Sequence, residues 1–452
     1  MIHHRPGLLL VFVMLLAACG ATDSTPTPAP VTPTVPVPSI VAIIPPSVTL
    51  QFWTVLPDRG VTEQSLNELT QAFQKEYPTI AIKVSSQPTY TDLYRKVVAS
   101  IAAGTLPDLV TGLDGDLLQY ARLRALVPLN DFIADPTDGI SQSELADITP
   151  GLLETTRIAE QENRTYSLPF ARGALALFYN WGVMKAIGIT NTPRGWDEFR
   201  LHAKTLTKNP VRGFAYRSEA AVFDALLISR GGTLFNADFT KATFNSTAGT
   251  DTLSYLADGV KEGWIYRAEG ASDMNDFAAG KTIFNLAPTT AIPVYQDAIA
   301  EAVKKGGKAV EWGVTPLPPA EVGKPSAVLV GSNIAILKSG EVKQRAAWLF
   351  LRWLLRDQTS ALWTQVSGVL PARQSARAQL AVLFAKAPQQ KQAINDLLPV
   401  ARAEPNIRAL SDIRDVIEGA LAAFDSGKAS PKAALDDAAA KANVLLGEGK
   451  SK

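Results

Sequence analysis

Few residues in this chain are equipped for nucleophilic or metal chemistry. It carries one cysteine, Cys19, and three histidines, His3, His4 and His202. One thiol cannot form a disulfide framework or a cysteine-rich zinc site. A Ser-His-Asp hydrolase would have to use His202, which the pattern places in the middle of a helix over 196–207. No glycine-flanked serine elbow accompanies it. Gly280-Lys281-Thr282 matches the tail of a P-loop, but Asn275 stands where its first glycine must be. Asp114-Gly115-Asp116 pairs two carboxylates, yet the rest of a calcium loop does not follow. Carboxylate pairs alone suffice for glycoside hydrolysis, so that alternative stays open, as does a purely structural role. No metal or cofactor is expected.

The elements that position these residues follow from the rest of the chain. Its 452 residues suit two or three domains at roughly 150 residues each. Hydrophobic residues at 46% against 19% charged indicate a globular chain. Lys and Arg (44) balance Asp and Glu (43), for a net charge of +1, so a phosphate-binding surface for nucleic acid is excluded.

Residues 1–18 read as a secretory leader. Arg5 lies in a short basic region, and Leu8 to Ala18 is an apolar run of about eleven residues, too short to cross a bilayer. It ends in Leu16-Ala17-Ala18-Cys19-Gly20, which resembles the lipobox of bacterial lipoproteins. The resemblance implies that Cys19 is lipidated and anchors the chain to a membrane. Residues 19–47 then form a tether rich in proline, with Thr-Pro and Val-Pro repeats that favour polyproline II.

Folded structure is expected from Val48. Val48, Leu50 and Phe52 alternate with Gln51 and Trp53, as a strand requires. A helix over 62–75, a strand over 80–84, a helix over 92–103 stopped by Gly104, and a strand over 109–111 follow. Strands and helices alternating at this spacing predict a parallel α/β sheet, whose ligands bind outside the carboxyl ends of its strands. The loops after Trp53 and Thr111 are therefore the first candidates.

Several landmarks extend this reading. Ala102-Ala103-Gly104-Thr105-Leu106-Pro107-Asp108-Leu109-Val110 is followed by Tyr166-Ser167-Leu168-Pro169-Phe170 and Leu177-Phe178-Tyr179-Asn180. Pro193-Arg194-Gly195-Trp196-Asp197-Glu198-Phe199, Trp312-Gly313-Val314-Thr315-Pro316-Leu317-Pro318 and Gly368-Val369-Leu370-Pro371 come later. In this order they resemble extracellular solute-binding proteins related to the maltose-binding protein. The resemblance implies a two-lobed α/β fold of the type II periplasmic-binding-protein class, with hinge crossovers near 166–170, 315–318 and 367–373. Lobe 1 would be 48–168 plus 317–367, and lobe 2 would be 169–316 plus 368–452. A monomer that delivers a small carbohydrate to the permease subunits of an ABC importer is implied, without catalysis.

Sugars present flat apolar faces and many hydroxyls, so aromatic rings and bidentate polar groups are the expected binders. The candidates in lobe 1 are Trp53, Asp58, Tyr90, Asp114 and Asp116. Lobe 2 offers Arg172, in a loop after the first hinge, with Tyr216, Glu219 and Arg414. Asn285-Leu286-Ala287-Pro288 lacks the tryptophan that the family usually presents there. The two arginines make an acidic sugar or glycerol 3-phosphate the alternative ligand, with a neutral or mixed oligosaccharide expected first.

Overall fold

The computed structural model describes residues 47–56, 61–158, 161–407 and 409–448. Cys19, the leader and the tether, together with Asp58, lie outside the described residues.

The first strand, β1 (Val48–Val55), alternates as expected, with Leu50 and Phe52 fully buried and Trp53 half-buried on the opposite face. It pairs in parallel with β2 (Ile80–Gln87) and β3 (Leu109–Gly112). Two helices make these crossovers. α1 (Glu63–Glu76) opens on a capping box between Thr62 and Ser65, and it buries Leu66, Leu69 and Phe73 against the sheet. α2 (Tyr90–Ala103) opens on Thr89, whose Oγ1 accepts from the Asp92 amide at 3.0 Å, and closes at Gly104, which adopts φ 70°. Only glycine takes that left-handed stop without strain, so the expected helix end is met.

Beyond β3 the chain forms α3 (Asp114–Arg122) and a small hairpin, β4 (Arg157–Ile158) with β5 (Arg164–Thr165). The fourteen-residue strand β6 (Ser167–Asn180) follows. Its first half pairs with β11 (Ala327–Ile336), which in turn pairs antiparallel with β3. Its second half pairs with β9 (Thr282–Pro288) and β10 (Trp312–Thr315). β7 (Arg212–Arg217) and β8 (Ile265–Ala268) extend that side in parallel, and the short β12 (Ala401–Arg402) adds to β11. The order β2-β1-β3-β11-β6-β9-β7-β8 therefore joins two half-sheets through β6 and β11.

Two large apolar clusters cover the sheet, the first running from β1 across to β9 and β10. Phe52, Phe73, Trp348, Phe350 and Trp353 pack in one, which makes the tryptophans of the Glu341–Leu354 helix core residues. Phe199, Phe214, Trp264 and Phe284 pack in the other, together with Ile413, Leu435, Ala438 and Ala442 of the two C-terminal helices, Leu410–Asp425 and Pro431–Glu448. Among the described residues, no helix is long and apolar enough to cross a membrane.

Candidate functional site

β3 ends at Gly112, and Leu113 turns the chain directly into α3. Asp114 and Asp116 thus occupy the first turn of a helix in place of the expected loop, where the helix dipole favours negative charge. Asp116 Oδ2 accepts from the Leu113 amide at 3.3 Å, and Oδ1 accepts from the Ser411 hydroxyl at 3.1 Å. Burial pushes the Asp116 carboxyl up to about 6, against the pull of these donors and of Arg414. Asp114 is buried too, and forms an ion pair with Arg172. Burial raises its carboxyl as well, with Arg172 opposing the rise.

Arg172 lies inside β6, because the strand runs through the crossing without a break. The loop position expected for it is therefore corrected. Its Nε donates to Asn333 Oδ1 at 2.8 Å and its Nη1 to the Gly331 carbonyl at 3.0 Å. A register shift between Ser332 and Asn333 of β11 aims these acceptors. Gly331 adopts φ 95°, and a Cβ there would come within 1.9 Å of the Ala171 carbonyl oxygen, so the position requires glycine. Asn333 is fixed in turn by donating to the Thr155 carbonyl at 2.8 Å and the Ser167 hydroxyl at 3.1 Å.

Tyr90 begins α2, two residues before the expected start of that helix. Its hydroxyl hydrogen-bonds the Ser332 side chain and faces Arg172, Asp116 and Arg414; burial raises its pKa. Arg414 projects from the Leu410–Asp425 helix and is ion-paired with Glu404. Burial alone would lower its pKa, but the carboxyls of Glu404, Asp224 and Asp116 outweigh it and keep the guanidinium charged. Asp224 is fully buried on the helix Ala220–Ser229, and burial together with neighbouring Glu404 lifts its carboxyl well above the usual range.

These side chains surround a cavity of about 310 Å³ between α2, α3 and the Leu410–Asp425 helix. Tyr90, Asp116 and Arg414 line it, with Asp114 and Arg172 braced alongside. A second cavity of about 360 Å³ adjoins it through Glu418 and opens at the carboxyl ends of β7 and β8. Glu219 lines this one and pairs with Arg217 at 2.5 Å. Tyr216 lies beneath, its hydroxyl donating to Asp425 Oδ1 at 3.1 Å. Trp53 lines neither cavity. Its ring packs on the α2 side of the sheet, with the Lys96 ammonium 4.1 Å above its centroid. Asn285, which opens the segment without the tryptophan, is buried in β9 and donates to the Asp273 carbonyl at 2.7 Å.

Sequence reasoning missed Tyr94, Gln119, Ser411, Asp412, Asp415 and Glu418 as lining residues. A signal was present. Ser411, Arg414, Asp415 and Glu418 recur at helical spacing beside the buried stripe of Leu410, Ile413, Ile417 and Leu421. Asp224, a single charge in an otherwise apolar helix, was a second signal.

The chain matches the family model for bacterial extracellular solute-binding proteins over residues 59–361. That is well over half its length. The chain belongs to this family. A galactooligosaccharide-binding protein of Bacillus subtilis is 22% identical, covering 83% of this chain and 85% of the relative. In structure the chain is similar to a cyclic alpha-maltosyl-1,6-maltose binding protein from Arthrobacter globiformis (TM-score 0.71, 21% identity, 89% of this chain and 100% of that one). It is similar also to UgpB from Mycobacterium tuberculosis in complex with glycerophosphocholine (TM-score 0.75, 21% identity, 89% and 99%). The two-lobed fold expected for a solute-binding protein of this family is the fold observed.

Proposed function

We propose that this solute-binding protein captures a carbohydrate between its lobes and delivers it, unaltered, to the permease subunits of an ABC importer. The lobes are taken as 48–168 with 317–367 and 169–316 with 368–452. Lipid on Cys19 and the proline-rich tether would hold the receptor at the extracytoplasmic face of the membrane.

The observation that carries this reading is the cavity between α2, α3 and the Leu410–Asp425 helix. Tyr90 and Tyr94 supply ring faces there, while Asp116, Gln119 and Ser411 supply hydrogen-bonding groups. Arg414 Nε is buried without a hydrogen-bond partner, a donor that a ligand hydroxyl can satisfy. The sugar-binding names of the Bacillus and Arthrobacter relatives point the same way. The glycerophosphocholine complex favours the anionic alternative, but both arginines that suggested it are already ion-paired within the protein.

A thermal-shift screen across neutral saccharides, amino sugars, uronic acids and glycerol phosphates tests the reading. A ligand at a hundredfold excess over its dissociation constant should add about 2.7 kcal/mol of stability. The bound sugar should be recovered intact after long incubation, since consumption would favour the hydrolase. A response to glycerol phosphates alone would overturn the carbohydrate reading. Membrane attachment is tested separately: Cys19→Ala should release the protein, and an unlipidated mass for the wild type would refute the anchor.

A further inference from the structure

We propose that the ligand of the interlobe cavity carries a positive charge, as an amine-bearing saccharide. The proposal rests on the carbohydrate reading above and narrows its substrate class.

The bookkeeping of charge around the cavity leads to it. Arg172 has its Nε on Asn333, its Nη1 on the Gly331 carbonyl and its Nη2 on Asp114, so its charge is already balanced within the protein. Arg414 is held by Glu404 and faces the carboxyls of Asp224 and Asp116 as well. Among the described residues, the cavity lining holds Asp116, Asp412, Asp415 and Glu418 against Arg95 and Arg414. Acid is therefore in excess where the ligand would lie, and the charge of Arg414 is already matched by carboxyls of the protein.

The carboxylates also crowd one another. Burial raises the Glu418 carboxyl, and like charge on Asp415 and Glu219 raises it further, even though it accepts from the Ala220 amide. Tyr94 responds in the same way, with its pKa raised by burial and by Asp116 and Asp412. A cation placed among these groups relieves the repulsion, whereas an anion adds to it. The rings of Tyr90 and Tyr94 fit such a guest, because aromatic faces attract cations. In the adjoining cavity the basic groups are paired: Arg217 with Glu219 at 2.5 Å, and Arg267 with Asp425 at 3.1 Å. That cavity therefore offers no compensating positive surface.

Calorimetric titration of the full chain with three matched probes tests the proposal. These are the β-1,4-linked disaccharide of glucosamine, its N-acetylated form, and the corresponding glucose disaccharide. The amine form should bind at least tenfold more tightly than either neutral probe, and added salt should erode that advantage. The double variant D415N/E418Q changes two exposed residues of the lining; after thermal melting shows that it folds, it should lose the preference. Equal or tighter binding of a neutral probe overturns the proposal, as does a preference that survives in the double variant. Absence of binding by all three overturns it too. The carbohydrate reading would then stand or fall on the wider screen alone.

Discussion

Arg172 and Arg414 both face the Tyr90 hydroxyl, and both are held by carboxylates, yet their surroundings differ in kind. Around Arg172 one ion pair and two neutral acceptors engage all three guanidinium nitrogens, and the neutral acceptors are β11 residues locked by the β6–β11 pairing while Asp114 comes from α3. Around Arg414 gather three carboxyls, Asp116 from α3, Asp224 from the Ala220–Ser229 helix and Glu404 ahead of the Leu410–Asp425 helix, and Arg414 itself borders a cavity. The first region is charge-balanced and braces the crossing between half-sheets. The second has acid in surplus, so its charge state responds to pH and to whatever enters. A buried ion pair is costly to break from one side, while a surplus carboxyl can shed its charge by taking a proton.

The largest effect should come from breaking the balanced region. Asp114→Asn leaves the Arg172 guanidinium buried without its counter-ion, and should cost about 3–5 kcal/mol in chemical denaturation. A loss below about 1 kcal/mol would mean that the pair is no brace.

The acid-rich region should instead show itself through pH. The Asp116 carboxyl is raised to about 6 in the folded chain, above the unfolded value of about 3.9. The sign follows: its contribution to stability is fully present below about pH 4 and is lost as pH rises through about 6. With this residue 4% exposed, the swing is on the order of 2–3 kcal/mol. Asp116→Asn should flatten the stability profile of the unliganded protein between pH 4 and 7. A profile identical to wild type would remove Asp116 from the titrating group.

A third contrast separates the cavity from the sheet behind it. Tyr94→Ala should weaken ligand binding by about 1–3 kcal/mol, by analogy with stacking on aromatic platforms. Trp53→Ala should lower stability and leave affinity unchanged, because its ring packs with α2 under Lys96. Measuring both quantities on both variants tests the assignment, and an affinity loss in Trp53→Ala would return that ring to the site.

What could be read beforehand follows the range of the physics involved. The strand phase of β1 and the stop at Gly104 depend on neighbours in sequence, and local pattern exposes them. Tyr90, Asp116 and Arg414 line one cavity because the carboxyl end of β3 and the C-terminal helix converge there, which the ordered landmarks imply. The partners of Arg172 were not legible. Asn333 lies 161 residues away, and it reaches the guanidinium only through a register shift in a strand pairing. Trp53 illustrates the limit of alternation: its face was right, but α2 covers that face, and a period of two cannot reveal what lies above it.

The smallest expected effect bears on the same comparison. Asp224 is fully buried, and burial with neighbouring Glu404 lifts its carboxyl well above the ordinary range. Burial thus favours its protonated form, and in that form Asp224→Asn exchanges one neutral group for another of nearly the same shape. Stability at pH 7 should change by less than about 1 kcal/mol, the net worth of one ordinary hydrogen bond. Asp114→Asn, in the balanced region, makes the same chemical change and should cost several times more. The pH dependence completes the test. Because the folded value of Asp224 is raised, its stabilising protonation is lost as pH climbs through that value, and the wild type should lose more stability than the variant as pH rises. If Asp224→Asn proves as damaging at pH 7 as Asp114→Asn, Asp224 is ionised and paired with Arg414. The second region is then as balanced as the first.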